Sequence, residues 1–282
     1  ADIHRAYIEA GSQIIQTNTF GSNAYKLMQH GLEDKVVEIN TAAVELARRV
    51  VLASFKDIWI AGDVGPLGVR LAPFGRVQPE DARKAFLEQI GALVNAKVDL
   101  LIIETMTDLY EVREAIFAAR EISKDIPIIA SMTFTRDDRT LLGDHPVKVA
   151  KKLKDYGADV IGVNCSGGPN QILRILKTMA AAIPGGRFSV MPNAGWPEQV
   201  AGRIMYPAGP EYFGDYAVAF WEAGACLLGG CCGTTPQHIA VMKTALENRP
   251  PLHSMNGLSI GVTEREEPAL EGQQPTRFAQ KI

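Results

Sequence analysis

Short aliphatic runs alternate along the chain with longer segments whose apolar positions recur every three to four residues. The short runs, at 13–19, 58–64, 98–104, 127–133, 159–165, 188–193 and 225–231, predict strands. The longer segments, at 36–53, 79–96, 109–122, 146–156, 171–183, 212–222 and 236–248, predict helices. An opening helix is also predicted, with Ile3, Ala6, Tyr7 and Ala10 on one face. Start signals support the helices: Thr235 before Pro236 is a cap and first-turn pair, and Pro79 precedes the acids Glu80 and Asp81.

Strands that are apolar almost throughout belong in a parallel sheet covered on both faces. Seven such βα units fit either an open doubly wound sheet or an eight-stranded barrel lacking one strand. Helix-first entry at Ala1 favours the α/β class with a (β/α)8 TIM-type barrel whose first strand lies upstream of this sequence. An incomplete barrel leaves two open sheet edges, an aggregation hazard for the isolated fragment.

The polar exceptions in this pattern fall at strand ends, where barrel chemistry collects: Thr17-Asn18-Thr19, Asp63, Glu104, Asn164-Cys165 and Asn193. The segment Gly229-Gly230-Cys231-Cys232-Gly233 joins them. Adjacent cysteines on a regular strand point to opposite faces, but flanking glycines permit backbone angles that turn both sulfurs inward. With Cys165 they make three thiolates and leave one open position, the donor set of a catalytic zinc; the competing reading is four small buried hydrophobes. Cys226, mid-strand and without glycine neighbours, reads as packing. Glu104 closes an apolar run, either to meet a substrate ammonium or as an acid at the next helix start. Asn18 and Asn193 read as substrate contacts or as loop-satisfying amides.

Composition narrows the classes further. The 282 residues carry 29 basic and 32 acidic side chains, so no basic field draws nucleic acid or anionic lipid. No run reaches the roughly 18 apolar residues of a membrane span, and no signal peptide opens the chain. Four cysteines in so long a chain form no disulfide framework, which points to a reducing cytoplasm. None of the five histidines forms a metal motif, and Gly167-Gly168-Pro169 has neither the spacing nor the lysine of a phosphate loop. From about residue 250 the texture turns polar and acidic; 250–274 reads as a linker after a 1–249 domain.

Five pieces together resemble the homocysteine S-methyltransferase family: Gln16-Thr17-Asn18-Thr19-Phe20, Glu104-Thr105, Gly162-Val163-Asn164-Cys165-Ser166-Gly167-Gly168-Pro169, Pro192-Asn193-Ala194-Gly195 and Gly229-Gly230-Cys231-Cys232-Gly233-Thr234-Thr235-Pro236. The resemblance runs from Ala1 to about Asn248. It implies a (β/α)8 barrel holding zinc through Cys165, Cys231 and Cys232, with the homocysteine sulfur at the open position. Attack of that thiolate on an activated methyl group gives methionine. It further implies that Glu104 binds the substrate amino group, with Asn18 and Asn193 at pocket positions. The family's Asp-Gly-Ala-Met-Gly-type turn on the first strand has no counterpart here, so the fragment is expected to bind homocysteine poorly. Residues 275–282 resemble the start of a fused methylenetetrahydrofolate reductase module. No residue selects the methyl donor among methyl-folate, S-methylmethionine, S-adenosylmethionine and betaine-like molecules. Two rival readings stand beside this one: a noncatalytic thiolate–zinc barrel, and a metal-free barrel lyase or aldolase using Glu104.

Overall fold

A computed structural model describes residues 1–200 and 203–249. Its elements alternate in the order the apolar pattern predicts. After α1 (Asp2–Glu9) come β1 (Ile14–Gln16), α2 (Ala24–Met28), α3 (Val36–Ser54), β2 (Trp59–Val64), α4 (Pro79–Asn95), β3 (Leu100–Met106), α5 (Leu109–Ile122) and β4 (Ile128–Met132). The second part holds α6 (Pro146–Tyr156), β5 (Val160–Cys165), α7 (Pro169–Ala182), β6 (Phe188–Pro192), the short strands β7 (Glu198–Val200) and β8 (Arg203–Met205), α8 (Pro210–Glu222), β9 (Ala225–Leu228) and α9 (Pro236–Leu246).

Seven strands pair in parallel in the order β1-β2-β3-β4-β5-β6-β9. A doubly wound sheet reverses its order at a switch point, and this sheet never does. The order is that of a (β/α)8 TIM-type barrel lacking the one strand that would join β9 to β1. Side-chain alternation divides the strands cleanly. Ile60, Leu101, Ile103, Ile128, Ala130, Ile161, Val163 and Val190 join the large core shared with the helices. Ala61, Leu100, Ile102 and Ile129 form a separate interior cluster, flanked by Ile14, Val160, Met191 and Leu227. With a side-chain period of two, the inward positions above that cluster are Asp63, Glu104, Ser131 and Asn164, so the barrel interior turns from apolar to polar toward the C-terminal strand ends.

Helix entry follows local chemistry. Asp108 caps α5 by accepting from Tyr110 N at 2.7 Å, and Thr235 with His238 closes a capping box at α9. Gly157, at φ 100°, ends α6 in the left-handed conformation that glycine adopts without strain. Between α4 and α5, the buried Glu114 is gripped by Arg83 and Arg113 at 2.5 and 2.8 Å. A buried carboxylate needs such partners, and losing one leaves a charge uncompensated at a cost of about 3–5 kcal/mol.

Several expectations shift. The last strand stops at Leu228, so Cys231 lies in the loop beyond it and not at the strand end. Cys226 is exposed on that edge strand, its thiol donating to Phe188 O at 3.3 Å, and is not a packing residue. Helix α2 and the β7–β8 hairpin carry too few periodic residues to announce themselves. Among the described residues no helix is long and apolar enough to cross a membrane. The linker expected at 250–274 and the reductase-like start at 275–282 lie outside the described residues.

Candidate active site

Three cysteine sulfurs meet at the C-terminal rim. Those of Cys165, Cys231 and Cys232 all lie within 4.8 Å of one another, and the Cys231 and Cys232 sulfurs are 4.0 Å apart. Cys165 ends β5 with φ 58°, and Ser166 follows with φ 51°, two successive non-glycine residues in left-handed backbone. That conformation costs energy and persists where neighbours over-determine it. Here Ser166 N donates to Thr133 Oγ1 at 2.9 Å, Phe134 N donates to Ser166 Oγ at 2.7 Å, and Asn193 Nδ2 donates to Ser166 O at 3.1 Å. The turn swings Cys165 toward the double cysteine.

The loop carrying that pair is fastened to the end of β6. Cys231 N donates to Pro192 O at 2.8 Å, Ala194 N to Cys232 O at 2.9 Å, and Thr234 Oγ1 to Cys231 O at 2.7 Å. Gly233, at φ 78°, lies against Tyr206, where an added Cβ would come within 2.3 Å of the ring. Asn193, 4% exposed, uses both ends of its amide, since its Oδ1 accepts from Cys232 N at 3.1 Å while its Nδ2 holds Ser166. It therefore ties the two cysteine-bearing loops together. Within the thiol cluster, hydrogen bonds from Cys165 and Cys231 hold Cys232 down at about 2, while Cys231 is driven far up by its contacts with Cys165 and Cys232. The cluster so favours one thiolate, at Cys232, beside thiols at Cys165 and Cys231.

Opposite the sulfurs stands Glu104, 7% exposed and inside β3, not at a helix start. Asn164 Nδ2 donates to its Oε2, Thr105 Oγ1 to the same oxygen at 3.3 Å, and Gln16 Nε2 to Oε1 at 3.3 Å. Asn164 Nδ2 also lies 4.0 Å from the Cys231 sulfur, so one amide links the carboxylate side to the thiol side. Burial pushes the Glu104 carboxyl above the usual range. Asp63, 6% exposed, is its neighbour from β2 and is raised further, by burial first and then by the charge of Glu104. Asn18 is exposed at the rim between the buried Thr17 and Thr19. The half-buried Lys26 on α2 places its Nζ 4.4 Å from the Phe20 ring centroid.

The structure thus brings Cys165, Cys231, Cys232, Asn193 and Glu104 to one rim and leaves Asn18 exposed. Asn164 stands among the polar strand ends that the sequence marks, but its role as a partner of Glu104 does not show there; Gln16, the other amide on Glu104, and Tyr206 beside the double cysteine carry no local signal as site residues. A usable signal exists for Asn164: it stands at an inward position, two residues beyond Gly162, in an otherwise apolar strand.

A βα barrel with three convergent thiols at its C-terminal rim presents, where such barrels carry their chemistry, a donor set able to hold a metal ion. The family model for homocysteine S-methyltransferase matches residues 1–246, and the chain belongs to that family. It is 32% identical over 254 residues to the methionine synthase of Mycobacterium leprae (strain TN), an alignment covering 86% of this chain and 21% of that protein. The methionine synthase of Mycobacterium tuberculosis (strain ATCC 25618 / H37Rv) is 33% identical over 256 residues, covering 87% and 21%. The chain therefore spans about a fifth of the length of these curated relatives. The crystal structure of the homocysteine methyltransferase MmuM from Escherichia coli, in its metallated form, superposes with a TM-score of 0.71 at 25% identity, covering 86% of this chain and 83% of that one.

Proposed function

We propose that this chain methylates the sulfur of homocysteine to give methionine, with a zinc ion held by Cys165, Cys231 and Cys232. The observation that carries the reading is the sulfur triangle. Three thiolates on one tetrahedral zinc, each about 2.3 Å from it, stand about 3.8 Å apart, and the Cys231–Cys232 separation is 4.0 Å with all three sulfurs inside 4.8 Å. Family membership and the likeness to a structure described as metallated support a metal in this chain.

When bound, zinc supplies Lewis acidity that keeps a substrate thiol ionised near neutral pH. The chain supplies the rest. The Asn193 bridge and the Pro192 and Ala194 backbone contacts fix the sulfur donors in place before substrate arrives. Glu104, set across the rim and oriented by Asn164, Thr105 and Gln16, receives the substrate ammonium and so aims the thiol at the three cysteines. The substrate thiolate attacks the methyl carbon of the donor; a carbon–sulfur bond forms as the bond to the donor's leaving atom breaks, and that atom keeps the electron pair. Asn18, exposed at the rim, remains free to meet the substrate, while Asn193 serves through the loops it joins.

Elemental analysis of the full-length protein tests the metal. About one zinc per chain is expected, lost in a folded Cys165→Ser variant. A folded protein that binds no zinc removes the mechanism. A zinc-loaded protein that methylates no homocysteine with any of the four donor classes supports a noncatalytic metal barrel instead.

A further inference from the structure

Asp63 is a buried acid of the rim that the proposed reaction leaves unused. It stands on β2, two residues beyond the interior residue Ala61, and its side chain is buried beside Glu104 on the adjacent strand β3. Its Oδ1 is buried and accepts from no side-chain or backbone donor among the described residues; the hydrogen bond its carboxyl makes is to the other acid, Glu104. A buried carboxyl oxygen without a donor is costly and uncommon in a native interior.

The nearby hydroxyls do not relieve it. Thr19 Oγ1 donates its proton to the backbone carbonyl of Asp63 at 2.7 Å. Thr17 Oγ1 lies 2.7 Å from Thr19 Oγ1 and accepts from Asp63 N at 3.0 Å, which leaves the Thr17 proton directed to Thr19. Both hydroxyl protons are consumed around the Asp63 backbone. The cation facing this corner is Lys26, but its Nζ sits over the Phe20 ring and makes no ion pair within 4.0 Å among the described residues. Two carboxyls from neighbouring strands therefore face one space with a single amide, from Gln16, at Glu104 Oε1.

We infer that Asp63 and Glu104 form a two-carboxyl cradle for the ammonium group of the substrate, with Asp63 Oδ1 as the second acceptor. This rests on the proposed role of Glu104 and extends it to a residue on the next strand. An ammonium carries three donors on a compact cation, the complement of two acceptor oxygens that repel each other when both are ionised. Both carboxyls are held above their usual range, burial being the main cause in each, as expected of a pair that keeps a proton where the substrate cation would sit.

The test compares two thiols in methyl-transfer kinetics with the full-length, zinc-loaded protein. One is homocysteine; the other is 4-sulfanylbutanoate, the same thiol acid without its amino group. In Asp63→Asn, KM for homocysteine should rise about tenfold or more, the scale of one lost charge-assisted hydrogen bond, while KM for the desamino acid stays unchanged. Glu104→Gln should show the same selective loss, with zinc content intact in both. If Glu104→Gln abolishes the preference for homocysteine and Asp63→Asn preserves it, the cradle is wrong and the reading of Glu104 survives. If neither changes the preference, both are wrong. An equal loss for the two thiols in Asp63→Asn marks a packing role and also overturns the cradle. Asp63→Ser, smaller and still polar, carries the same comparison should the asparagine variant not fold.

Discussion

The two sides of the rim are built on opposite plans. On the sulfur side, the backbone between Pro192 and Thr234 is tied by short hydrogen bonds, and Asn193 spends its whole amide joining two loops. On the carboxyl side, two acids crowd together, one oxygen has no donor, and the nearest lysine turns to an aromatic ring. The first side is satisfied in its framework. The second holds Glu104 with three donors and leaves Asp63 Oδ1 with none. The lesson is that metal sites are preorganised through backbone and neighbouring polar contacts, whereas a substrate subsite can hold its cost until the ligand neutralises it.

The comparison breaks most sharply at the cysteines. Cys231→Ser or Cys232→Ser should lower zinc affinity by about a thousandfold or more, while Cys226→Ser, on the exposed edge of β9, should leave it unchanged. Competition with a chromophoric chelator reads this directly, and equal retention in all three variants would contradict the ligand assignment.

The next effect lies behind the carboxyl side, at Glu111. Burial pushes this carboxyl up to about 7, although Leu67 N donates to it at 2.7 Å. A carboxyl whose folded value is raised binds its proton more tightly in the folded state. Its contribution is complete below the unfolded value of 4.5 and declines as pH rises toward about 7. Glu111→Gln, which keeps the acceptor for Leu67, should therefore gain roughly 3 kcal/mol over the parent between acid and mildly alkaline pH. Urea unfolding across that range measures the difference; a constant gap between the two proteins would refute the shift.

Glu104→Gln sharpens the contrast from the substrate's direction. The homocysteine KM should rise about 10- to 100-fold with zinc retained, because the lost partner is an ammonium and not the metal. Loss of zinc from a folded Glu104 variant would place this acid in the metal framework instead.

Smallest is the effect of Asn193→Ala. Releasing the bridge between Ser166 and Cys232 should weaken zinc about tenfold without emptying the site at micromolar metal. An Asn193 variant with unchanged zinc affinity and a raised homocysteine KM would reassign the residue from the metal framework to the substrate pocket.

Much of this was legible in the sequence. Helices α5 and α6 fall where the apolar period puts them. An acid ending an aliphatic run marked Glu104 as a candidate, but whether it faced the interior or the next helix start was settled only by its place within β3. The double cysteine read correctly as turned from strand geometry, but by a different route: the strand ends at Leu228 and the glycines shape a loop. Cys226 escaped because its burial depends on what lies beyond β9, which a local pattern does not carry. The Asp63–Glu104 contact was equally hidden, since register between β2 and β3 pairs Asp63 with Ile102 and sets the two carboxyls on one interior face only after folding.

The central claim is that Cys165, Cys231 and Cys232 together hold one zinc and leave a position for a fourth sulfur. X-ray absorption at the zinc edge of the full-length protein tests it directly. The account predicts three sulfur neighbours at about 2.3 Å in the free protein and four once homocysteine is added. A shell with two sulfurs or fewer, or one that homocysteine leaves unchanged, would contradict it.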